Sequence, residues 1–188
     1  ASTINIDRWL KHLKYKSLPL VANPNVDQKI KSKYNLIAIG ASTGGVTAIR
    51  QVLSTVPKDF PCIVITQHMP PGFTATFAKG VSKDFGLDVR EAKDLDLIQA
   101  GRIYIAPGDF HLVVNRRNGV SHTVGLTQTE KVNGHRPSVD VLFNSIAQNK
   151  LAPETIGIIL TGMGMDGAKG LLEMRDAGSR TIGENEHS

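Results

Sequence analysis

Three short apolar runs with no charge inside them, Leu36 to Ile39, Cys62 to Ile65 and Ile156 to Leu160, constrain this chain more than any other feature. A strand that stays apolar on both of its faces must be covered on both, which is the environment of an interior strand in a parallel sheet. The segments between the runs carry helical spacing. Val46, Ile49, Leu53 and Val56 fall on one helix face up to Pro57, which ends it. Phe73, Phe77, Val81 and Phe85 recur every four residues, and Val139, Leu142, Phe143 and Ile146 follow Pro137, placed for a first helical turn. Leu171, Leu172, Met174 and Ala177 continue to Gly178, a helix stop. Leu87-Asp88-Val89 and Arg102 to Ile105 read as further strands, and Thr181-Ile182 as the start of a last one. Phe110 to Val114 and Val120 to Leu126, joined around Asn118-Gly119, read as an antiparallel hairpin added to the sheet. The alternation predicts a doubly wound α/β fold: a mostly parallel sheet with helices on both faces and an antiparallel hairpin.

With 188 residues, the chain suits one domain and an attached arm. The net charge of +5 divides unevenly. Residues 1–34 hold seven basic and two acidic side chains, whereas residues 35–188 hold fifteen of each sign. Residues 1–34 are therefore read as a basic linker or arm, and residues 35–188 as the folded body. A basic arm can meet nucleic acid, an anionic membrane or an acidic partner. This one lacks sustained aromatic interleaving, and Pro19, Pro24 and Asn25 have linker character, so a solvated linker is expected and no nucleic-acid partner. The single cysteine, Cys62, lies in an apolar run. No disulfide framework forms within the chain, which fits a reducing, cytoplasmic setting. No apolar stretch approaches the ~20 residues of a membrane span, so no membrane insertion is expected.

Parallel strands end on one side of a sheet, and sites of such sheets open at those carboxyl ends. Just past the three central runs stand a serine, a histidine and an aspartate: Ser42 in Gly40-Ala41-Ser42-Thr43-Gly44-Gly45, His68 in Thr66-Gln67-His68-Met69-Pro70-Pro71, and Asp166 in Thr161-Gly162-Met163-Gly164-Met165-Asp166-Gly167. These are the parts of a hydrolytic triad: Ser42 as nucleophile, His68 as the base that removes its proton, Asp166 as the carboxylate that orients the imidazole. An oxyanion needs backbone donors, and the Gly162-Met163-Gly164 turn, through the amide of Met163, is the candidate.

Gly40-x-Ser42-x-Gly44 exposes a hydroxyl at a strand-to-helix bend, but a glycine-rich bend can also cradle phosphate. A dinucleotide fingerprint has glycine where Ser42 stands and an acid ~20 residues on, and neither is present. No Gly-Lys-Ser/Thr follows, which excludes a P-loop. Structural roles are also available: Ser42 or Thr43 as a cap of the following helix, Asp166 as a cap of the helix after it, and His68 as an ordinary strand-end histidine. Of the other histidines, His12 lies in the arm, His111 and His122 in the hairpin and His187 near the terminus, while His135 stands on a polar loop where it can line a site. No spacing suggests a metal site, and no cofactor is expected.

Five segments also resemble the catalytic domain of the chemotaxis receptor methylesterases, the CheB family, over residues 35–186. They are Ile37 to Gly45, Gln67 to Phe73, Tyr104 to Asp109, His135 to Phe143 and Leu160 to Gly167. The resemblance implies a protein-glutamate methylesterase and glutamine deamidase. Its substrates are the cytoplasmic helices of methyl-accepting chemoreceptors, its triad is Ser42, His68 and Asp166, and Thr43 and Met163 support the site. Arg136, in the polar loop before a helix, is expected to face an acidic receptor surface. The family's full-length architecture carries a receiver domain, for which residues 1–34 are too short. It also continues past Asn185-Glu186 into another strand and helix, so the C-terminal end reads as incomplete.

Overall fold

The computed structural model describes residues 34–57, 59–117 and 121–184. In chain order its strands are β1 (Leu36–Ala41), β2 (Cys62–Gln67), β3 (Asp88–Glu91), β4 (Arg102–Ile105), β5 (His111–Arg117), β6 (Ser121–Thr127), β7 (Thr155–Ile159) and β8 (Arg180–Gly183). The helices are α1 (Gly45–Ser54), α2 (Phe73–Phe85), α3 (Val139–Gln148) and α4 (Ala168–Asp176). Six strands pair in parallel in the order β3-β4-β2-β1-β7-β8. The three charge-free runs are therefore its centre, because only interior strands are covered on both faces.

Side-chain alternation divides the core into two layers. Ile37, Ile39, Ile63 and Ile65 point to the face covered by α1 and α2, where Ile49, Leu53 and Val81 meet them. Leu36, Ala38, Cys62 and Val64 point to the opposite face, covered by Leu142, Phe143 and Ile146 of α3, Met174 of α4 and Leu112, Val114 and Val124 of the hairpin. A Cβ at Gly40 would collide with the Val139 side chain, so glycine at that point of β1 lets the N-terminus of α3 settle directly over the strand end.

The chain leaves β1 toward β2 through α1 on one face and leaves β7 toward β8 through α4 on the other. The loops after β1 and β7 consequently diverge, and the crevice between them is where a doubly wound sheet places its site.

Local readings depart from the structure in four places. The four-residue spacing of the α2 phenylalanines drifts about 40° per step against a 3.6-residue turn. Phe73 is thereby 64% exposed, while Thr74, Ala78 and Val81 form the buried face. Val46, in the first turn of α1, is exposed, and Val56 lies beyond the end of that helix. Pro137 is not in the first turn of α3: Ser138 is the N-cap and Pro137 precedes it. The hairpin β5-β6 forms its own two-stranded sheet and is not an extension of the main one. Asn118-Gly119 and nearly all of the basic arm lie outside the described residues.

Candidate active site

Ser42 is the first residue after β1, His68 the first after β2, and Asp166 closes the loop from β7 to α4. The sheet brings all three together. His68 Nδ1 lies 3.0 Å from Ser42 Oγ, and His68 Nε2 lies 2.7 Å from Asp166 Oδ2. A carboxylate only accepts, so the imidazole proton sits on Nε2 and Nδ1 turns its lone pair toward the serine hydroxyl. In the serine-protease template the two ring nitrogens have the opposite assignment. The relay of proton acceptance is the same, with the ring turned over.

Neither Ser42 nor Asp166 serves as a cap for the helix that follows it. The N-caps of α1 and α4 are Gly44 and Gly167, both in the left-handed region and without a side-chain cap. Asp166 instead crosses to the N-terminus of α3. Its carboxylate accepts from the Val139 amide at 2.7 Å and the Asp140 amide at 3.3 Å, from Ser138 Oγ at 2.7 Å and Asn133 Nδ2 at 2.8 Å, and from His68. A helix N-terminus favours an anion through its free amides and its dipole. Burial pushes this carboxyl up, yet the hydrogen bonds from His68, Asn133, Ser138 and the Val139 amide outweigh that and hold it well below the usual carboxylate range.

A second layer fixes the donors. Ser138 caps α3 while donating to Asp166. Asn133 Nδ2 bridges Asp166 and the buried Asp140, 2.7 Å from Asp140 Oδ2. Asp140 Oδ1 in turn accepts the Gly170 amide at 2.6 Å, tying α3 to α4. His135 stacks on the base itself, with ring centroids 3.7 Å apart and planes 14° apart. Burial, then the neighbouring His68, lowers the His135 pKa below the ordinary histidine value, which favours a neutral ring against the imidazole that must become cationic.

Sequence reasoning placed His135 only on a site-lining loop and missed Asn133, Ser138 and Asp140. The Ser138-Val139-Asp140 start of a helix carried a readable N-cap signal; the contact of Asn133 with a residue thirty-three positions away carried none.

The remaining expected residues are placed as follows. Thr43 is exposed in the turn between Ser42 and Gly44. The 161–164 turn lies against the nucleophile, since the Ser42 amide donates to Thr161 O at 3.0 Å. Gly162, Met163 and Gly164 line a small cavity together with Ser42, His68 and Asp166. Met163 is 76% exposed and Met165 82%. Arg136 is engaged within the chain: its guanidinium donates to Asp109 Oδ1 at 2.7 and 3.0 Å and to the carbonyls of Gln128 and Thr129. It therefore braces the wall of a groove that runs from His68 past Pro70, Lys131 and His135. Among the described residues, no group of three His, Cys, Asp or Glu side chains is placed to hold a metal, and no helix is long and apolar enough to cross a membrane.

Residues 37–188 match the CheB methylesterase family. A protein-glutamate methylesterase/protein-glutamine glutaminase of Sulfurimonas denitrificans is 45% identical over 185 residues, covering 98% of this chain and 52% of that protein. The Escherichia coli K12 protein of the same name is 50% identical over 157 residues, covering 84% of this chain and 44% of its own length. The chain thus spans about half the length of these relatives. Among solved structures, the Thermotoga maritima CheB methylesterase catalytic domain superposes with a TM-score of 0.74 at 40% identity, over 79% of this chain and 78% of that one. The match covers all three strand ends and the loops that carry the hydrogen-bonded Ser, His and Asp, and the chain belongs to the CheB methylesterase family.

Proposed function

We propose that residues 35–188 form a methylesterase catalytic domain that hydrolyses glutamate γ-methyl esters on chemoreceptors, releasing methanol, and deamidates receptor glutamines. The hydrogen-bonded series Ser42–His68–Asp166 carries this reading, with separations of 3.0 and 2.7 Å. The names of the relatives supply the substrate class. Its partners are the cytoplasmic helices of methyl-accepting chemoreceptors and the receiver domain of the family's full-length architecture, which sets its place in the cytoplasm. Residues 1–34 act as a basic linker.

In this mechanism Ser42 Oγ attacks the γ-carbonyl carbon as His68 Nδ1 takes its proton. Asp166 holds the ring and stabilises the imidazolium that forms. The amide of Met163 donates to the oxyanion, with Thr43 supporting the turn. Collapse of the tetrahedral intermediate breaks the acyl–oxygen bond, and His68 returns the proton to methoxide, which leaves as methanol. Water then attacks the acyl-enzyme with His68 again as base, regenerating Ser42 and leaving glutamate. A glutamine substrate follows the same course with ammonia as the poorer leaving group, so ester cleavage is the faster reaction. The exposed Met163 and Met165 beside the crevice, and the groove past Pro70 and Lys131, offer the surface against which a helix can lie.

The test is incubation of a methylated receptor cytoplasmic fragment with this protein in ¹⁸O-water. The reading expects methyl esters to disappear, ¹⁸O to enter the new glutamate carboxylate and unlabelled methanol to be released. Intact esters, or ¹⁸O in the methanol, would contradict it.

A further inference from the structure

Gln67 is the last residue of β2 and is buried, 3% exposed, at the carboxyl edge of the sheet. It shares a face with Ile63 and Ile65 and pairs in register with Ala41, the residue before the nucleophile. A buried glutamine in an otherwise apolar layer needs a reason. Its Nε2 donates to Ser42 O at 2.9 Å and, at the same time, to His68 O at 3.0 Å. The amide nitrogen therefore ties the backbone of the nucleophile to the backbone of the base. Its Oε1 is buried and accepts no hydrogen bond among the described residues. A buried acceptor left unbonded costs stability, so this side chain is not an optimum for the fold alone. The neighbourhood is also cut to fit it. A Cβ at Gly45, the first residue of α1, would collide with Gln67 Oε1 and with the Ala41 Cβ, so glycine at that position leaves the space that the amide and Ala41 share. The Gly45 amide donates to the same Ser42 carbonyl at 2.8 Å, which gives that carbonyl two donors.

We propose that Gln67 is a positioning residue of the hydrolase: its amide, seated in space that Gly45 leaves open, sets the separation of Ser42 and His68. The inference rests on the serine-hydrolase reading of the site. It requires two carbonyls to be held by one amide nitrogen, which neither the strand pairing nor the apolar core supplies.

The test uses Gln67→Met, which keeps length but removes the donor, together with Gln67→Glu and Gly45→Ala. Methanol release should show kcat reduced by about 10²-fold in Gln67→Met, as expected for a misplaced reacting group, with KM within about twofold. In Gln67→Glu the loss should shrink as pH falls, because a protonated carboxyl recovers one donor. Gly45→Ala, which crowds Gln67 Oε1 as well as the Ala41 Cβ, should lower kcat too. A purely structural role would instead lower the melting temperature and leave kcat of the folded protein and the Ser42–His68 separation unchanged. Crystal structures of the same variants test the proposal without any substrate. The Ser42 Oγ to His68 Nδ1 separation should lengthen beyond hydrogen-bond reach in Gln67→Met. If that separation stays at its present value, or if kcat equals that of the unaltered chain, the proposal is overturned. Absence of methanol release from the unaltered chain would overturn the substrate reading, and the structures alone would then decide on Gln67.

Discussion

The loop from β7 to α4 has two parts that behave in opposite ways. At Asp166 the side chain is 4% exposed and its carboxylate accepts five hydrogen bonds, from α3, from Ser138, from Asn133 and from the base. Three residues earlier, Met163 stands in a glycine-flanked turn and is 76% exposed. One part is over-determined and the other is open. The orienting half of the chemistry is built into the fold, while the half that must admit a bulky protein substrate is left with little of its own surface covered. Preorganised dipoles cost no rearrangement when charge develops, which is what the pinned part provides.

The strongest way to break this contrast is at the pinned part. Asp166→Asn replaces an acceptor of five donors with an amide and removes the charge that fixes the His68 tautomer. Methanol release should fall on the order of 10⁴-fold while circular dichroism stays native. Asn133→Ala leaves Asp140 and Asp166 facing one another without their shared donor. Chemical denaturation should show a loss of about 1–3 kcal/mol, with a fall in kcat smaller than that of Asp166→Asn.

The pH dependence sharpens the same point. Because the native Asp166 pKa is depressed, its contribution to stability is fully present above its unfolded value of about 3.9 and is lost as pH falls through the lower native value. Urea titrations of the unaltered chain and Asp166→Asn should therefore differ by a constant amount from pH 7 to pH 5 and converge below about pH 4.

The open part should respond differently. Met163→Ala and Met165→Ala should change stability by less than about 0.5 kcal/mol, since neither side chain is buried, and should act chiefly through KM for the receptor fragment. The smallest effect expected is none at all. Cys62 is the chain's one thiol, it is buried in β2, and burial pushes it up to about 12, so a thiol-alkylating reagent at pH 8 should leave methanol release unchanged.

The contrast also separates what a reader of the chain can see from what only the fold reveals. Ser42, His68 and Asp166 were legible because each follows a charge-free strand, and parallel strands must end on one side. Helix faces were legible where apolar spacing was close to 3.6, as in α3, and misread where it ran at four, as at Phe73. The support of Asp166 was not legible. It depends on Asn133 reaching across thirty-three residues and on an α3 N-terminus set by Gly40 against Val139, neither of which has a periodic signal. Gln67 was quoted only as a neighbour of His68. Whether a polar residue at a strand end is buried is decided by the helix that lies over it, here by the space at Gly45.

The central claim is that Ser42, activated through His68 by a pinned Asp166, is the nucleophile. The direct measurement is the rate of methanol release from a methylated receptor fragment by the unaltered protein and by Ser42→Ala, with melting curves showing both folded. The account predicts a fall of about 10³-fold or more in Ser42→Ala. Retention of most of the activity by that variant would contradict it.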